Sequence, residues 1–237
     1  MSTAEHRARV TRLVAVHGPD VARLCDACVA DLPGVGGAGL AVMSSLPAQQ
    51  VRYVSDPTSA RVEELQVMLG EGPRVDAFTG GSPVLATDLD DPFWLQRWPG
   101  FAPAAVGAGA RAVFALPLQV GAVRLGVIDL YRAGPGALIG DDLAEALAFA
   151  DAAIELLLAE QLPGAQIPGS TRLFPHRAVV HQATGMISAQ LDGPVADAFL
   201  RLRAYAYASE RSLDHIAAEV VGRRLRFDDT GGEGANR

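Results

Sequence analysis

Every lysine-or-arginine position in this 237-residue chain is an arginine. Residues 170–227 hold Arg172, Arg177, Arg201, Arg203, Arg211, Arg223, Arg224 and Arg226 against Asp192, Asp197, Glu210, Asp214 and Glu219, an excess of +3. Residues 1–169 carry 11 arginines and 19 acidic side chains, a balance of −8, and the chain as a whole stands at −7. A guanidinium is a planar fork of donors that fits phosphate oxygens. The basic rear segment therefore points to nucleic acid, and the acidic front does not.

Other reactive residue types do not assemble into a catalytic set. Cys25-Asp26-Ala27-Cys28 has the spacing of a redox or metal pair, but it stands alone and both sulfurs fall on the apolar face of a helix, so core packing is expected. The five histidines, His6, His17, His176, His181 and His215, are scattered. His176 and His181 are five apart and rotated from one another on a helix, a poor metal pair. Gly70-Glu71-Gly72-Pro73 lacks the Lys and Ser/Thr of a phosphate-binding loop and reads as a structural turn. No Ser/His/Asp set, nucleotide loop, metal site or cofactor signature forms, and no enzyme activity is expected.

The elements that hold the basic residues are three short amphipathic helices between His176 and Phe227. Val179, Ala183, Met186, Ile187 and Gln190 mark one face of the first. Val195, Ala198, Phe199, Leu202 and Ala206 mark the second, and Leu213, Ile216, Ala217, Val220 and Val221 the third. Asp192-Gly193-Pro194 divides the first pair, and Ser212 is a natural N-cap for the third. Such short helices must pack on one another. On the first, Arg177, His181, Thr184 and Ser188 are expected to face away from the core.

The front of the chain reads differently. Residues 1–19 form a loose or helical lead, and Asp20–Leu32 a helix. Gly39–Met43 and Gln50–Ser55 make a hairpin, followed by a helix over Pro57–Leu69 and a helical turn over Arg74–Thr79. Pro83–Ala86 is a short strand, Asp88–Pro99 an acidic and aromatic loop, and Phe101–Gly109 a further helix. Ala112–Val120 and Ala122–Tyr131, joined at Gly121, make the strongest hairpin, and Asp141–Gln161 is a long helix. Antiparallel hairpins with helices grouped at the ends define an α+β domain. Residues 163–172 read as a linker and 228–237 as a disordered tail. No apolar run approaches the roughly 18–20 residues that cross a bilayer, and MSTAEHRARVTRLV lacks a signal peptide's apolar core, so a cytoplasmic protein is expected.

Residues 176–225 resemble the ANTAR domain of transcription antitermination regulators. The family's apolar-x-x-Ala-Lys-Gly pattern is met by Val180-His181-Gln182-Ala183-Thr184-Gly185, with threonine in place of lysine. Ala198, Phe199, Leu202 and Arg203 match its Ala-aromatic-x-x-Leu-Arg, and Leu213, Ile216, Ala217, Val220 and Val221 its third helix. Residues 20–161 resemble a GAF sensor domain through Gly70-Glu71-Gly72-Pro73, Phe114–Val120 and Gly126-Val127-Ile128-Asp129-Leu130. The order is similar to that of a class of actinobacterial regulators. The resemblance implies an antiparallel GAF-like sheet flanked by helices (20–162), then an all-α three-helix module (173–227).

It further implies a homodimer that binds stem-loop RNA in nascent mRNA and prevents a terminator from forming, governed by an unknown small-molecule ligand of the GAF domain. Arg177, Thr184, Gly185, Arg201 and Arg203 are the expected RNA-contacting positions. Phe78, Trp94, Trp98 and Phe114 are candidates to line an apolar ligand pocket, and the Leu143, Leu147, Ala150, Ile154, Leu157 and Leu158 stripe is a candidate dimer seam. Two other readings of the helical module stay open at this stage: a DNA-binding regulator, or a degenerate module used for protein contacts.

Overall fold

The structure, a computed structural model, describes residues 2–43, 49–160 and 175–227, with side chains in the last segment from residue 179 onward. The expected linker and tail lie outside the described residues. The chain divides into two compact units, Met1–Arg172 and Leu173–Arg237.

The first unit is built on a five-stranded antiparallel sheet. Its strands are β1 (Gly37–Met43), β2 (Gln49–Val54), β3 (Val84–Ala86), β4 (Ala112–Val120) and β5 (Val123–Arg132), in the order β2-β1-β5-β4-β3. The expected tight hairpin pairs β4 with β5 and places Phe114 opposite Leu130. Neighbouring strand residues point to opposite faces, so each strand feeds two cores. Leu40, Phe114, Leu116, Ile128 and Leu130 join one core with helices α1 (Thr3–His17), α2 (Val21–Asp31) and α7 (Gly140–Glu160). Val113 and Tyr131 join the other, with Trp98 and the helices α3 (Pro57–Leu69) and α6 (Phe101–Gly107).

Local chemistry starts these helices where they start. Asp20, Asp56 and Asp91 each accept a backbone N–H as N-caps of α2, α3 and the short α5 (Pro92–Arg97), and Pro57 and Pro92 sit in the first turn. The expected loop at 88–99 therefore contains a helix, because an Asp cap and a proline outweigh its polar composition. The N-terminal stretch is also part of the fold. Ser2 and Glu5 form a capping box, and Val10 and Leu13 are buried beside α7. The α7 stripe faces the same core: Ala150, Ile154 and Leu157 are buried within this unit, while Leu147 and Leu158 are exposed. Most of the expected dimer seam thus packs on its own sheet.

The second unit is three helices: α8 (Pro175–Leu191), α9 (Val195–Ala208) and α10 (Leu213–Val221). Val180, Ala183, Ile187, Ala198, Phe199, Leu202, Ala206, Leu213, Ile216, Ala217 and Val220 are buried. All three helices end in the same way. Asp192, Glu210 and Arg223 adopt left-handed φ values of 46°, 52° and 57°. The next residue's N–H then donates five residues back, Gly193 to Ser188 O at 3.1 Å, Arg211 to Ala206 O at 3.1 Å and Arg224 to Glu219 O at 2.8 Å, the Schellman pattern. A side chain at such a position costs roughly 1 kcal/mol. Glu210→Gly is therefore expected to stabilise the α8–α10 unit by up to about 1 kcal/mol, read as slower hydrogen exchange of its helical amides. Faster exchange would show that the Glu210 side chain itself supports the cap.

Candidate functional site

The three-helix unit separates residues that the sequence groups together. Thr184 is buried, and its hydroxyl donates to Val180 O at 2.7 Å, so it is a packing residue turned onto its own helix and presents no surface to a ligand. The expectation that it faces outward fails because the core face of α8 runs through Val180, Ala183, Thr184 and Ile187 rather than through Val179 and Met186. Gly185 is exposed, and a Cβ added there would meet nothing within 4 Å, so the helix backbone is bare at that point. The Arg177 side chain lies outside the described residues.

On α9, Arg201 is exposed while Arg203 is half-buried, with its Cζ 5.7 Å from the Phe199 ring centroid. Burial lowers the Arg203 pKa below the ordinary arginine value. It remains a cation at any physiological pH, one that has already lost part of its water shell. Residues two apart do not share a helix face, so Arg201 and Arg203 address different directions. Arg211 is engaged inside the unit by a two-pronged pair with Glu219, at 3.1 and 2.8 Å, which lowers the Glu219 pKa. Sequence reading missed the exposed side chains beside Arg203. Leu200 is 58% exposed and Tyr207 61%. Their i, i+3, i+7 spacing with Arg203 was the available signal.

In the first unit the four pocket candidates do not line one cavity. Phe114 points into the core beneath α7, with Arg132 over its ring at 5.6 Å, whereas Trp98 belongs to the opposite core. Trp98 stacks on Trp94 at 4.6 Å and meets Phe101 edge-on, and its indole N–H donates to Asp76 at 3.0 Å. Phe78 is buried on α4 (Pro73–Gly80).

The same α4 carries a buried ionic cluster. Arg74 has no exposed surface; its Nε donates to Asp129 of β5 at 2.9 Å, and its guanidinium also pairs with Glu63 of α3. The Arg74 backbone N–H donates to Gln66 Oε1 at 2.7 Å, and Gln49 of β2 lies at 3.5 Å. Burial opposes the charge on Arg74, but the two carboxylates outweigh it and hold its pKa above the ordinary value. Gly39 makes room for this arrangement: a Cβ there would lie 2.5 Å from Glu63 Oε1. The Gly70–Pro73 turn leads into it, with Gly70 and Gly72 at φ 67° and 125° and Glu71 accepting the Gly100 and Phe101 N–H groups at 2.7 Å. An aspartate in the apolar strand Val127-Ile128-Asp129-Leu130 was the sequence signal for it.

Cys25 and Cys28 are fully buried and free, and burial pushes both thiols up from their ordinary range. Both are held as unreactive thiols. Among the described residues no group of three or more His, Cys, Asp or Glu side chains is placed to hold a metal ion, and no helix is long and apolar enough to cross a membrane.

Residues 174–221 match the ANTAR domain family, and this match spans the helices of the second unit. The first unit is similar to the GAF domain of a phosphoenolpyruvate-protein phosphotransferase from Coxiella burnetii, at 12% identity and a TM-score of 0.50, over 67% of this chain and 96% of that one. It is also similar to the corresponding GAF domain from Acinetobacter (10%, TM-score 0.47, 68% and 96%) and to the free methionine-R-sulfoxide reductase from Neisseria meningitidis (16%, TM-score 0.44, 65% and 89%). At these identities the likeness concerns the fold and carries no chemistry. No curated protein matches the chain. The chain thus joins a GAF-like fold to an ANTAR domain.

Two substitutions test this geometry. Thr184→Val, which removes a hydroxyl bonded only to its own helix, is expected to change the stability of the second unit by no more than about 1 kcal/mol; a clearly larger loss in denaturant unfolding would show that the hydroxyl supports more than its own helix. Arg74→Ala strands two buried carboxylates and is expected to cost about 3–5 kcal/mol. The calorimetric midpoint of the first unit should then fall by about 10 °C, and a shift under about 2 °C would show that the cluster does not bind α4 to the sheet.

Proposed function

We propose that this protein is a cytoplasmic regulator of the actinobacterial GAF–ANTAR type, whose second unit binds stem-loop RNA in a nascent transcript and so prevents a terminator hairpin from forming. The observation that carries the reading is the coincidence of the ANTAR match with a compact helical unit bearing excess arginine. Arg203, Arg201, Arg177 and the bare backbone at Gly185 are the proposed contacts. An arginine that has already lost part of its hydration gives up less water on meeting a phosphate. The first unit receives a small-molecule signal and the chain acts as a homodimer, which suits a target of paired hairpins.

The test is a titration of the full chain, wild type and Arg203→Ala, against a two-hairpin RNA chosen by selection on the wild-type protein from a loop-randomised pool. Duplex DNA of equal length is the control, and salt is varied. RNA-selective binding is expected, weakened in Arg203→Ala by about tenfold, with the log–log salt slope reduced by about one, the loss of one phosphate contact. A selection that returns no RNA bound better than the DNA would overturn the reading.

A further inference from the structure

We infer that Tyr207, flanked by Leu200 and Arg203 on one side of α9, is a stacking platform for an unpaired base of the bound RNA. The inference rests on the RNA-binding reading above and deepens it by naming how the module would tell a loop from a duplex.

Tyr207 belongs to the run Ala204-Tyr205-Ala206-Tyr207-Ala208, and its two tyrosines have opposite fates. Tyr205 is half-buried and meets the Phe227 ring edge-on at 5.5 Å, tying the end of the described chain to α9. Tyr207 is 61% exposed, and among the described residues its side chain has no hydrogen-bond or ring partner. Its neighbours Ala204 and Ala208 are exposed and small. Seven residues earlier, Leu200 adds a second exposed apolar side chain, and Arg203 sits between the two in sequence and on the helix surface.

This surface suits a nucleotide better than a second protein. A stable protein interface takes about 800 Å² from each partner, which a stripe of two apolar side chains interrupted by a cation does not supply. A nucleotide needs an aromatic face for its base and a cation for its phosphate; Tyr207 supplies the first, and Arg203, one turn earlier on α9 with its guanidinium over Phe199, the second. Bases within a duplex are covered by their neighbours, while loop bases can be splayed out and stacked on aromatic side chains. The surrounding segment carries the matching charge, +3 over residues 170–227.

The experiment uses the full chain as wild type, Tyr207→Phe and Tyr207→Ala, titrated against the selected two-hairpin RNA with 2-aminopurine in place of each loop adenine in turn. Sedimentation of each variant is measured alone and with RNA. Expected are a loss of about tenfold or more in Tyr207→Ala, an unchanged salt slope because no phosphate contact is removed, and retention of affinity in Tyr207→Phe. Binding should quench at least one loop 2-aminopurine in wild type and Tyr207→Phe but not in Tyr207→Ala. Wild-type binding with full affinity and quenching in Tyr207→Ala would overturn the stacking role while leaving RNA binding intact. A change of oligomeric state in Tyr207→Ala without RNA would overturn it in favour of a contact between copies. Failure of the wild type to bind would remove both readings together.

Discussion

A guanidinium with no exposed surface, held between two carboxylates, is the constraint on which the first unit depends. Removing ions from water costs several kcal/mol each, and attraction in the interior offsets this only where the geometry is complete. Arg74 draws on Glu63, Asp129, Gln49 and Gln66, which come from one helix and two strands. The cluster fixes where α3 and α4 lie on the sheet and dictates glycine at position 39.

The second unit has no such centre. Its helices span 17, 14 and 9 residues, lengths at which an isolated helix is marginal in water. They persist because each buries a stripe against the other two, and because their ends are closed by the same hydrogen-bond pattern. Closing all three with side-chain-bearing residues in the left-handed region spends stability at the turns. In return, the turns carry Asp192, Glu210 and Arg223, charged groups at the corners of a small module.

Much of this was legible in the sequence, and the exceptions have physical reasons. The β4–β5 hairpin, α7, the three rear helices and the buried cysteines follow from periodicity and turn residues, which are local signals. Thr184 falls inside because the apolar stripe of α8 is offset by one residue from the face that periodicity suggests, and a short helix leaves room for either choice until its partners are known. Phe114 was grouped with Trp98 by residue type, yet strand alternation sends it to the other face. Arg74, Glu63 and Asp129 are up to 66 residues apart in the chain, and only the fold reveals that three surface-type residues share one interior site. Tyr207 was overlooked for a simpler reason: an exposed aromatic leaves no trace in a core pattern.

The chain's two tryptophans, Trp94 and Trp98, are stacked on each other inside the first unit, and the second unit has none. Light absorbed at the red edge of the protein band is therefore taken up by the GAF-like unit alone, through a pair of rings close enough to act as one chromophore. A change confined to the helical module is invisible there. The protein thus carries an intrinsic optical probe in its GAF-like unit and none in its helical one, so the GAF-like unit can be followed by its own spectroscopic signature.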